Sequence, residues 1–406
     1  MDIAIRGIAP SEFDRFMDSI AVSFGGQIRP EEADSIRKVI EIDRVLVAVD
    51  GEELVGGAAA SSFRLTVPGA VVPAAGITAV GVKPTHRRRG VNSALMRRQL
   101  DDIHGSGEAA AILNSSEGGI YGRFGYGIAI SACEIDIERD RTRFVRGYRP
   151  SGEVGLLERE AALAAFPEVY ERVRPESPGF LARNEAWWDD RFRDFEFDRE
   201  GASAYFYAVH ESEGSLDAYA VYRVKGDWDE SVPRSTLSVE ELIAATPQAY
   251  ADMWRYCFDV DLIHRVKAWN RPEDEPLYHL LAEPRRLNLR MRDGVWARLV
   301  DVPHALAQRR YATEGHVVFE VHDEFCPWND GRYALDGGPG GAECSATRED
   351  ADVLLSATEL GATYLGGTGF RRLARAGRLV EARKGGLERA DALFAWDPAP
   401  WCPQMF

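Results

Sequence analysis

A basic loop between two regular segments is the strongest chemical signal in the sequence. Val80, Gly81 and Val82 end an apolar run typical of a strand, an arginine-rich stretch follows, and Gly90 precedes a helical pattern. Main-chain N–H groups at such a turn, together with the positive end of the helix dipole, form a natural site for a diphosphate. Arginines at a helix start oppose that dipole. They either cap a solvated helix or accompany a bound anion that removes the conflict, and we favour the anion.

Two glycines of this stretch carry structural expectations of their own. Gly81 lies inside a predicted strand, which indicates a bulge or the close approach of a ligand, and a bulge there would separate two strands and expose amide groups. Gly90 would let the backbone approach phosphate groups without an intervening Cβ.

The spacing of the loop is that of a known cofactor motif. Arg87-x-x-Gly90-x-Asn92 resembles the Arg/Gln-x-x-Gly-x-Gly/Ala acetyl-CoA loop of the GCN5-related N-acetyltransferase (GNAT) superfamily, with Asn92 in place of the usual small residue. A second glycine-rich stretch, residues 116–127, carries Tyr121 four residues before the pair Gly125-Tyr126. That superfamily commonly has a tyrosine at this distance from a Gly-aromatic pair.

Tyrosine is the residue type that this chemistry needs. Acetyl transfer from a thioester to an amine expels a thiolate, whose conjugate thiol has a pKa near ~8.5. A phenol with a pKa of ~10 held nearby can donate a proton as the sulfur leaves. Tyr121 and Tyr126 both qualify by type, and either could simply pack in a glycine-rich turn. We interpret Tyr121 as catalytic and Tyr126 as a packing residue.

The end of the chain is unusual for a terminus. Residues 396–406 are rich in proline and aromatic side chains and close on Met405 and Phe406, whereas most termini are polar and frayed. Such a tail favours burial, which would carry the α-carboxylate inward and make it a stronger base. A tail that only fastens the surface of a domain is the alternative interpretation.

Together the loop, the tyrosine and the tail resemble the enhanced intracellular survival (Eis) family of acetyltransferases over the whole chain. The resemblance implies an active GNAT domain, a degenerate second one and a C-terminal domain similar to sterol carrier proteins, the last visible in residues 351–381. It also implies that Tyr121 is the general acid and that the carboxylate of Phe406 is the general base.

The same resemblance implies the ligands. Acetyl-CoA would be the acetyl donor, no metal would be needed, and the acceptor would be an amine of a small aminoglycoside-, polyamine- or lysine-like cation. The assembly would be a homohexamer. The implied cofactor contacts are Val80, Gly81, Val82, Arg88, Arg89, Gly90, Val91, Asn92, Ser93, Ser116 and Glu117.

Composition excludes several other classes of protein. The chain of 406 residues carries a formal net charge of −16, which would repel a nucleic-acid backbone but suits cationic amines. Residues 67–82 are apolar but broken by glycine and proline, so we predict no membrane span. Five scattered cysteines and the absence of a signal-peptide pattern predict a cytoplasmic protein with reduced thiols. Scattered histidines predict no metal site.

The surrounding elements must position these residues. Strand patterns at 44–49, 54–62, 74–82 and 109–113, with helices at 10–22 and 90–103, predict a βαβ-type unit over residues 1–145. Residues 146–288 repeat this order without the arginine-rich loop, and residues 289–406 form a separate α+β unit. The predicted fold class is therefore α/β and α+β, with tandem GNAT domains before a sterol-carrier-like domain.

Two functions of other classes remain open from the sequence. The chain could be a lipid-binding protein whose GNAT domains are an idle scaffold, or a protein that binds CoA without turnover. The intact 88–93 loop and Tyr121 favour the enzyme.

Overall fold

The computed structural model describes residues 3–406. The first part of the chain forms a layered α/β unit around a seven-stranded sheet of order β1-β2-β3-β4-β5-β16-β6. Its strands are Ala4–Gly7 (β1), Val45–Asp50 (β2), Glu53–Val67 (β3), Ala70–Val82 (β4), Ala110–Asn114 (β5), Gly127–Ile128 (β6) and, from much later in the chain, Val295–Leu299 (β16). Its helices are Phe13–Ser23 (α1), Pro30–Arg37 (α2) and Val91–Gly105 (α3).

The alternation of apolar residues explains how helices cover both faces of this sheet. Val45 and Val47 of β2 belong to the same core cluster as α1. Leu46 and Ala48, whose side chains point the opposite way, pack in a cluster with α3. Helix α3 connects the parallel strands β4 and β5, which confirms the predicted βαβ unit.

The apolar run at residues 67–82 forms a tight turn and strand β4. Gly69, at the turn to β3, has a positive φ of 67° that favours glycine. Across residues 3–406, no helix combines the length and apolar character that crossing a bilayer requires.

The middle of the chain forms a second seven-stranded sheet of order β15-β7-β14-β13-β10-β9-β8. Its strands are Ser131–Glu138 (β7), Glu153–Leu157 (β8), Phe206–Ser212 (β9), Ser215–Lys225 (β10), Ser235–Ala244 (β13), Ile263–Pro272 (β14) and Arg290–Asp293 (β15), beside a small hairpin of Trp228–Asp229 (β11) and Val232–Pro233 (β12). The helices are Arg159–Val173 (α4), Glu185–Arg191 (α5), Pro247–Asp259 (α6) and Leu277–Leu280 (α7). Strands β13 and β14 are parallel and joined through α6, so this unit repeats the β4-α3-β5 arrangement.

The last part of the chain forms a five-stranded sheet of order β19-β18-β17-β20-β21. Its strands are Gly315–His322 (β17), Gly331–Gly338 (β18), Gly341–Ala346 (β19), Val353–Ser356 (β20) and Val380–Glu381 (β21), and its helices are Val302–Gln308 (α8), Ala357–Thr363 (α9), Phe370–Arg375 (α10) and Gly386–Phe394 (α11). Helix α9 packs on β6 and β16 of the first sheet, where Gly127 and Gly361 allow close backbone contact.

The sheets do not follow the sequence boundaries at residues 145 and 288. Strand β7 lies within the first predicted unit but pairs with β14 and β15 of the second sheet. Strand β16 lies within the third predicted unit but pairs with β5 and β6 of the first sheet. Each of the first two sheets thus contains a strand from outside its own predicted unit, because hydrogen-bond partners in a sheet need not be neighbours in the chain.

Candidate active site

The first feature of the site is an opening between β4 and β5. The two strands pair only through residues 75–77 and 111–113. Beyond that point β4 bulges against β3, with the register shifting between Gly57 and Ala59 and with Ala79 at a φ of 49°. The strands separate there, which leaves a gap beyond Ile77 of β4 and Leu113 of β5. We call this gap the strand opening.

The predicted bulge is present, but Gly81 is a glycine for a different reason from the one expected. A Cβ on Gly81 would lie 2.8 Å from Cβ of Ser23 at the end of α1. Close packing of helix α1 therefore requires the missing side chain here. The bulge lies just before it, at Ala79.

The basic loop connects β4 to α3 and has an irregular backbone. Arg88 and Gly90 both have positive φ, 64° and 80°, and Gly90 is the residue before the first turn of α3. A Cβ on Gly90 would meet nothing within 4 Å, so its conformation rather than crowding favours glycine. Arg87 donates to the carbonyl of Ser23 at 2.9 Å and fastens the loop to α1.

The helix start borders a cavity that could hold an anion. This cavity has a volume of about 490 Å³ and is lined by Arg89, Gly90, Val91 and Ala94, with Ile3 of the chain start opposite. Exposed main-chain N–H groups of the first helical turn and the helix dipole lie along its wall. The geometry fits the diphosphate site that the sequence predicts.

Several buried polar atoms around the opening have no hydrogen-bond partner within residues 3–406: Oδ1 of Asn92, Nδ2 of Asn114 and Oγ of Ser115. Buried polar groups normally have a partner, so these atoms are candidates for ligand contacts. Asn114 and Ser115 were not predicted as site residues from the sequence. Two polar residues directly after an apolar strand could nevertheless have indicated a ligand contact at this end of β5. The predicted contacts Ser116 and Glu117 follow them and are exposed.

Tyr121 begins a short 3-10 turn, Tyr121–Phe124, that follows β5. It packs with Ile77 of β4 and Leu113 of β5 beside the opening, and only 6% of its surface is exposed. Burial raises the pKa of its phenol. Its ring centroid lies 6.0 Å from that of Tyr126, whose hydroxyl is fully buried without a partner in the described chain.

Contacts from later parts of the chain hold the tyrosine turn. The buried guanidinium of Arg298 on β16 donates to the carbonyl of Phe124 and forms a 2.5 Å ion pair with Asp323. Thr358, in the first turn of α9, donates to the carbonyl of Gly122 at 3.0 Å. The first sheet and the third unit therefore fix the turn together.

The C-terminal residue also reaches this site. The Phe406 ring lies 5.0 Å from the Phe63 ring, and a Cβ on Gly76 of β4 would lie 3.2 Å from Phe406. Phe406 and Met405 border a cavity of about 720 Å³ that is also lined by Thr78 and Ala79 of the strand opening.

Tyr121 and Phe406, the two predicted catalytic residues, therefore lie on opposite faces of β4, beside the adjacent strand residues Ile77 and Gly76. Side chains of a strand alternate, so Ile77 faces the cluster that contains Tyr121, whereas Gly76 faces Phe406. The strand opening lies between the two faces. A ligand in that gap would have the phenol on one side and the terminal carboxylate on the other.

The 720 Å³ cavity has an apolar wall and a charged wall. Side chains of α1 and α2 and the segment after α2 form the apolar wall, and the second unit forms the charged wall. Arg193 is paired with Asp190 at 2.6 Å and Arg199 with Asp194 at 3.0 Å. Buried Ser61, which also lines the cavity, has a hydroxyl without a partner in the described residues and was not predicted as a site residue.

Three carboxylates of the charged wall are left without an ion pair inside the described range: those of Asp198, Glu200 and Glu240. Among the basic residues of the wall, Arg191 pairs with Glu241 at 3.1 Å. Five acidic and five basic side chains line the cavity, so its formal charge is balanced, and Arg199 and Arg223 share the carboxylate of Asp194. The three carboxylates without an ion pair can accept a cation beside Phe406.

Comparison with known proteins supports the division of the chain. Acetyltransferase (GNAT) domain families match residues 4–129 and 179–299, and a sterol carrier protein domain family matches residues 302–403. The predicted order of two GNAT domains and a sterol-carrier-like domain is confirmed. The exact boundaries at 145 and 288 stay a prediction.

Whole-chain relatives agree with this division. An "Uncharacterized N-acetyltransferase" of Streptomyces avermitilis is 44% identical over 412 residues, covering 100% of both chains. The N-acetyltransferase Eis of Mycobacterium tuberculosis is 37% identical over 391 residues, covering 93% of both. Among solved structures, Eis1 from Mycobacterium abscessus superposes with a TM-score of 0.86 at 35% identity, covering 99% of this chain and 100% of that one.

Proposed function

Because the chain belongs to the Eis family of GNAT N-acetyltransferases, we propose that it transfers an acetyl group directly from acetyl-CoA to an amine of a small cationic substrate. Tyr121 is the general acid and the α-carboxylate of Phe406 is the general base. The observation that carries this proposal is the approach of both residues to the strand opening from opposite faces of β4.

The residues around the opening fit acetyl-CoA. The helix start at Gly90, with Arg88 and Arg89 before it and Val91 to Ser93 after it, would hold the diphosphate. The buried, unpartnered Oδ1 of Asn92 supports a ligand at this point. Val80, Gly81 and Val82 would contact the pantetheine arm along β4, and Ser116 and Glu117 would border it beyond β5.

When bound, acetyl-CoA supplies a thioester carbonyl activated for attack. Amide N–H groups of β4 at the bulge would polarise that carbonyl. The carboxylate of Phe406 takes a proton from the attacking amine, directly or through water, because only a neutral amine is nucleophilic. As the C–N bond forms and the C–S bond breaks, Tyr121 gives its proton to the sulfur. Burial raises the pKa of Tyr121, so the phenol stays protonated until the thiolate develops.

The cavity beside Phe406 supports a small cationic acceptor. Its three carboxylates without an ion pair in the described residues, those of Asp198, Glu200 and Glu240, would stabilise ammonium groups of an aminoglycoside-, polyamine- or lysine-like substrate. The apolar wall formed by α1 and α2 would pack against the carbon skeleton. The homohexamer remains a prediction from the resemblance, and the cytoplasmic location remains a prediction from the cysteines and the absence of a signal-peptide pattern.

Packing in the third unit argues against the lipid-carrier alternative. The rings of Phe319, Phe370 and Phe394 contact one another in its interior, with centroids 4.9–5.8 Å apart. The fully buried guanidinium of Arg309 lies over the Phe394 ring and donates to main-chain carbonyls. An interior filled by aromatic side chains and a cation is a poor site for an apolar ligand.

Extension of the C-terminus tests the proposal. Appending a short Gly-Ser segment after Phe406 moves the carboxylate away, and we expect kcat to fall by about 10²–10⁴-fold, the usual contribution of a general base. Turnover would be followed by free-thiol release with a panel of polyamines, aminoglycosides and lysine peptides. Phe406→Tyr, which retains the carboxylate and an aromatic ring, is the matched control. Full activity in the extended protein would contradict the assignment of the base.

A further inference from the structure

The degenerate second GNAT-like unit has a feature that the proposed chemistry leaves unexplained. Strands β13 and β14 pair in parallel only up to Val239 and Ala268. Beyond that point β13 bulges against β10 at Glu240, where the pairing shifts from Val221 to Tyr222. The second sheet therefore separates at the same place as the first, and it carries a second strand opening of its own.

No diphosphate loop serves this second opening. Helix α6 starts directly after β13, and its first turn is capped by its own chain, since Thr246 Oγ1 accepts from the N–H of Ala249 at 3.1 Å. Pro247 lacks an N–H group. The groups that would bind a cofactor in the first unit are thus already used or missing in the second.

The C-terminal tail is bound at the second opening. Asn270 of β14, two residues past the last β13 pairing, contacts the tail twice. Its Nδ2 donates to the carbonyl of Cys402 at 3.0 Å, and its Oδ1 accepts from Nε1 of Trp401 at 3.3 Å. One amide side chain therefore fixes both the backbone and the indole of the tail.

Neighbours of Asn270 complete this attachment. The guanidinium of Arg271 lies 4.8 Å from the centroid of the Trp401 ring, and it is itself held by a 2.7 Å ion pair with Glu275. The carboxylate of Asp274 accepts from the N–H of Ala399 at 3.0 Å. We call residues 270–274 the tail-binding loop.

The other side of the tail meets the segment before α5. The N–H of Trp401 donates to the carbonyl of Pro178 at 2.9 Å. A Cβ on Gly179 would lie 2.7 Å from the carbonyl oxygen of Trp401, so the contact leaves no room for a side chain. Trp401 and Cys402 are accordingly 7% and 4% exposed.

From these contacts we infer that the second unit positions the catalytic base, with Asn270 as the positioning residue. The inference rests on the proposed role of the Phe406 carboxylate. Cys402 and Phe406 are four residues apart, so the fixed carbonyl is at most about 14 Å from the reacting end. The Phe406 ring is anchored on Phe63. The carboxylate is thus held between an anchor on the first unit and one on the second.

Loss of the Asn270 contacts would therefore displace the carboxylate of Phe406, although Asn270 does not itself contact that carboxylate. A displacement of about 1 Å at a reacting group lowers the rate by roughly a hundredfold. We expect Asn270→Ala to lower kcat by up to about that factor. The KM for acetyl-CoA should stay unchanged, because the Gly90 helix is remote from the tail-binding loop. Asp274→Ala, which removes an exposed contact, should have a smaller effect in the same direction.

The experiment compares these variants in the full chain, and in the chain extended after Phe406. The matched control is Asn288→Gly, which removes a hydrogen bond from the Asn288 side-chain amide to the main-chain carbonyl of Asp136 in β7 but does not affect the tail. Initial rates, the KM for acetyl-CoA and the pH dependence of kcat would be measured. We expect Asn270→Ala to change the part of the kcat–pH profile that reports the catalytic base, as the C-terminal extension does. In the chain that already carries the extension, we expect Asn270→Ala to cause no further loss of kcat.

The outcomes separate the inference from the proposal on which it depends. If the extended chain remains fully active, the role of the Phe406 carboxylate fails and the inference fails with it. If the extension abolishes turnover but Asn270→Ala and Asp274→Ala retain wild-type kcat, only the inference is overturned. It is also overturned if Asn270→Ala lowers the residual rate of the extended chain by the same factor, since that effect would be independent of the carboxylate.

Discussion

Replacement of Tyr121 by phenylalanine removes one oxygen atom from the site and little else. The ring packs between the β4–β5 opening and the rings of Phe124 and Tyr126, and phenylalanine can keep those contacts. Burial is the only cause that raises the pKa of Tyr121, with no hydrogen bond contributing, so within residues 3–406 no protein group loses a partner when the hydroxyl is removed. We therefore expect Tyr121→Phe to fold with a melting temperature close to that of the wild type.

The effect on turnover should be large by comparison. A positioned general acid contributes about 10²–10⁴-fold, and kcat for Tyr121→Phe should fall by that factor. This loss corresponds to about 3–5 kcal/mol of transition-state stabilisation. Affinity for CoA should be retained, because the helix start at Gly90 lies at the other end of the opening. Free-thiol release gives kcat, and calorimetric titration with CoA gives the dissociation constant.

Tyr126→Phe is the matched control for this prediction. Its hydroxyl is fully buried and has no partner in the described chain, and burial raises its pKa far above that of a free phenol. Removing an unpaired buried hydroxyl should leave kcat unchanged and raise the free energy of unfolding by about 1 kcal/mol. Retention of wild-type kcat by Tyr121→Phe, or an equal loss in both variants, would refute the assignment of the acid.

Two further predictions concern the loop and the second unit. Gly90→Ala places a Cβ in open space, but the backbone φ of 80° disfavours any residue other than glycine. We therefore expect the free energy of unfolding to fall by about 1 kcal/mol, as measured by urea unfolding. We also expect the KM for acetyl-CoA to rise, as measured by steady-state kinetics. Burial opposes the charged form of His210, but its bonds to Asp217 and the Ser151 carbonyl outweigh burial and raise its pKa. The stabilisation of the fold by protonated His210 is therefore complete below ~6.5, the pKa of histidine in the unfolded chain, and it is lost as the pH rises through the higher pKa of His210 in the folded protein. Melting temperatures across this range should fall more for the wild type than for His210→Gln.

The third unit has a structural role in the site even where it makes no contact with a ligand. Asp323 and Thr358 belong to this unit, and they hold the turn of Tyr121 through Arg298 and the carbonyl of Gly122. The tail that ends in Phe406 also leaves from this unit, after α11. A sterol-carrier-like fold thus supports the two residues that we propose as catalytic.

Local structure could be predicted from the sequence. The loop at residues 80–93 and the turn at Tyr121 depend on residue types at fixed short spacings, such as a glycine that accepts a positive φ before a helix. The strands around them follow from apolar alternation, and the structure has β4, α3 and β5 within three or four residues of the predicted bounds. The aromatic, proline-rich tail likewise predicts burial, and residues 400–404 are buried, whereas Met405 is exposed and Phe406 is half-buried.

Only the tertiary structure decided which distant segments meet. Three examples are the pairing of β7 and β16 with strands outside their predicted units, the packing of Gly81 on Ser23, and the contacts of Asn270 with the tail. Each contact joins residues that are far apart in the sequence, and no local sequence pattern predicts it. The structure of a short motif depends on backbone dihedrals and neighbouring side chains, so consecutive residues are enough to predict it. The approach of Tyr121 and Phe406 to one opening depends instead on how three units pack, and packing is a property of the whole folded chain.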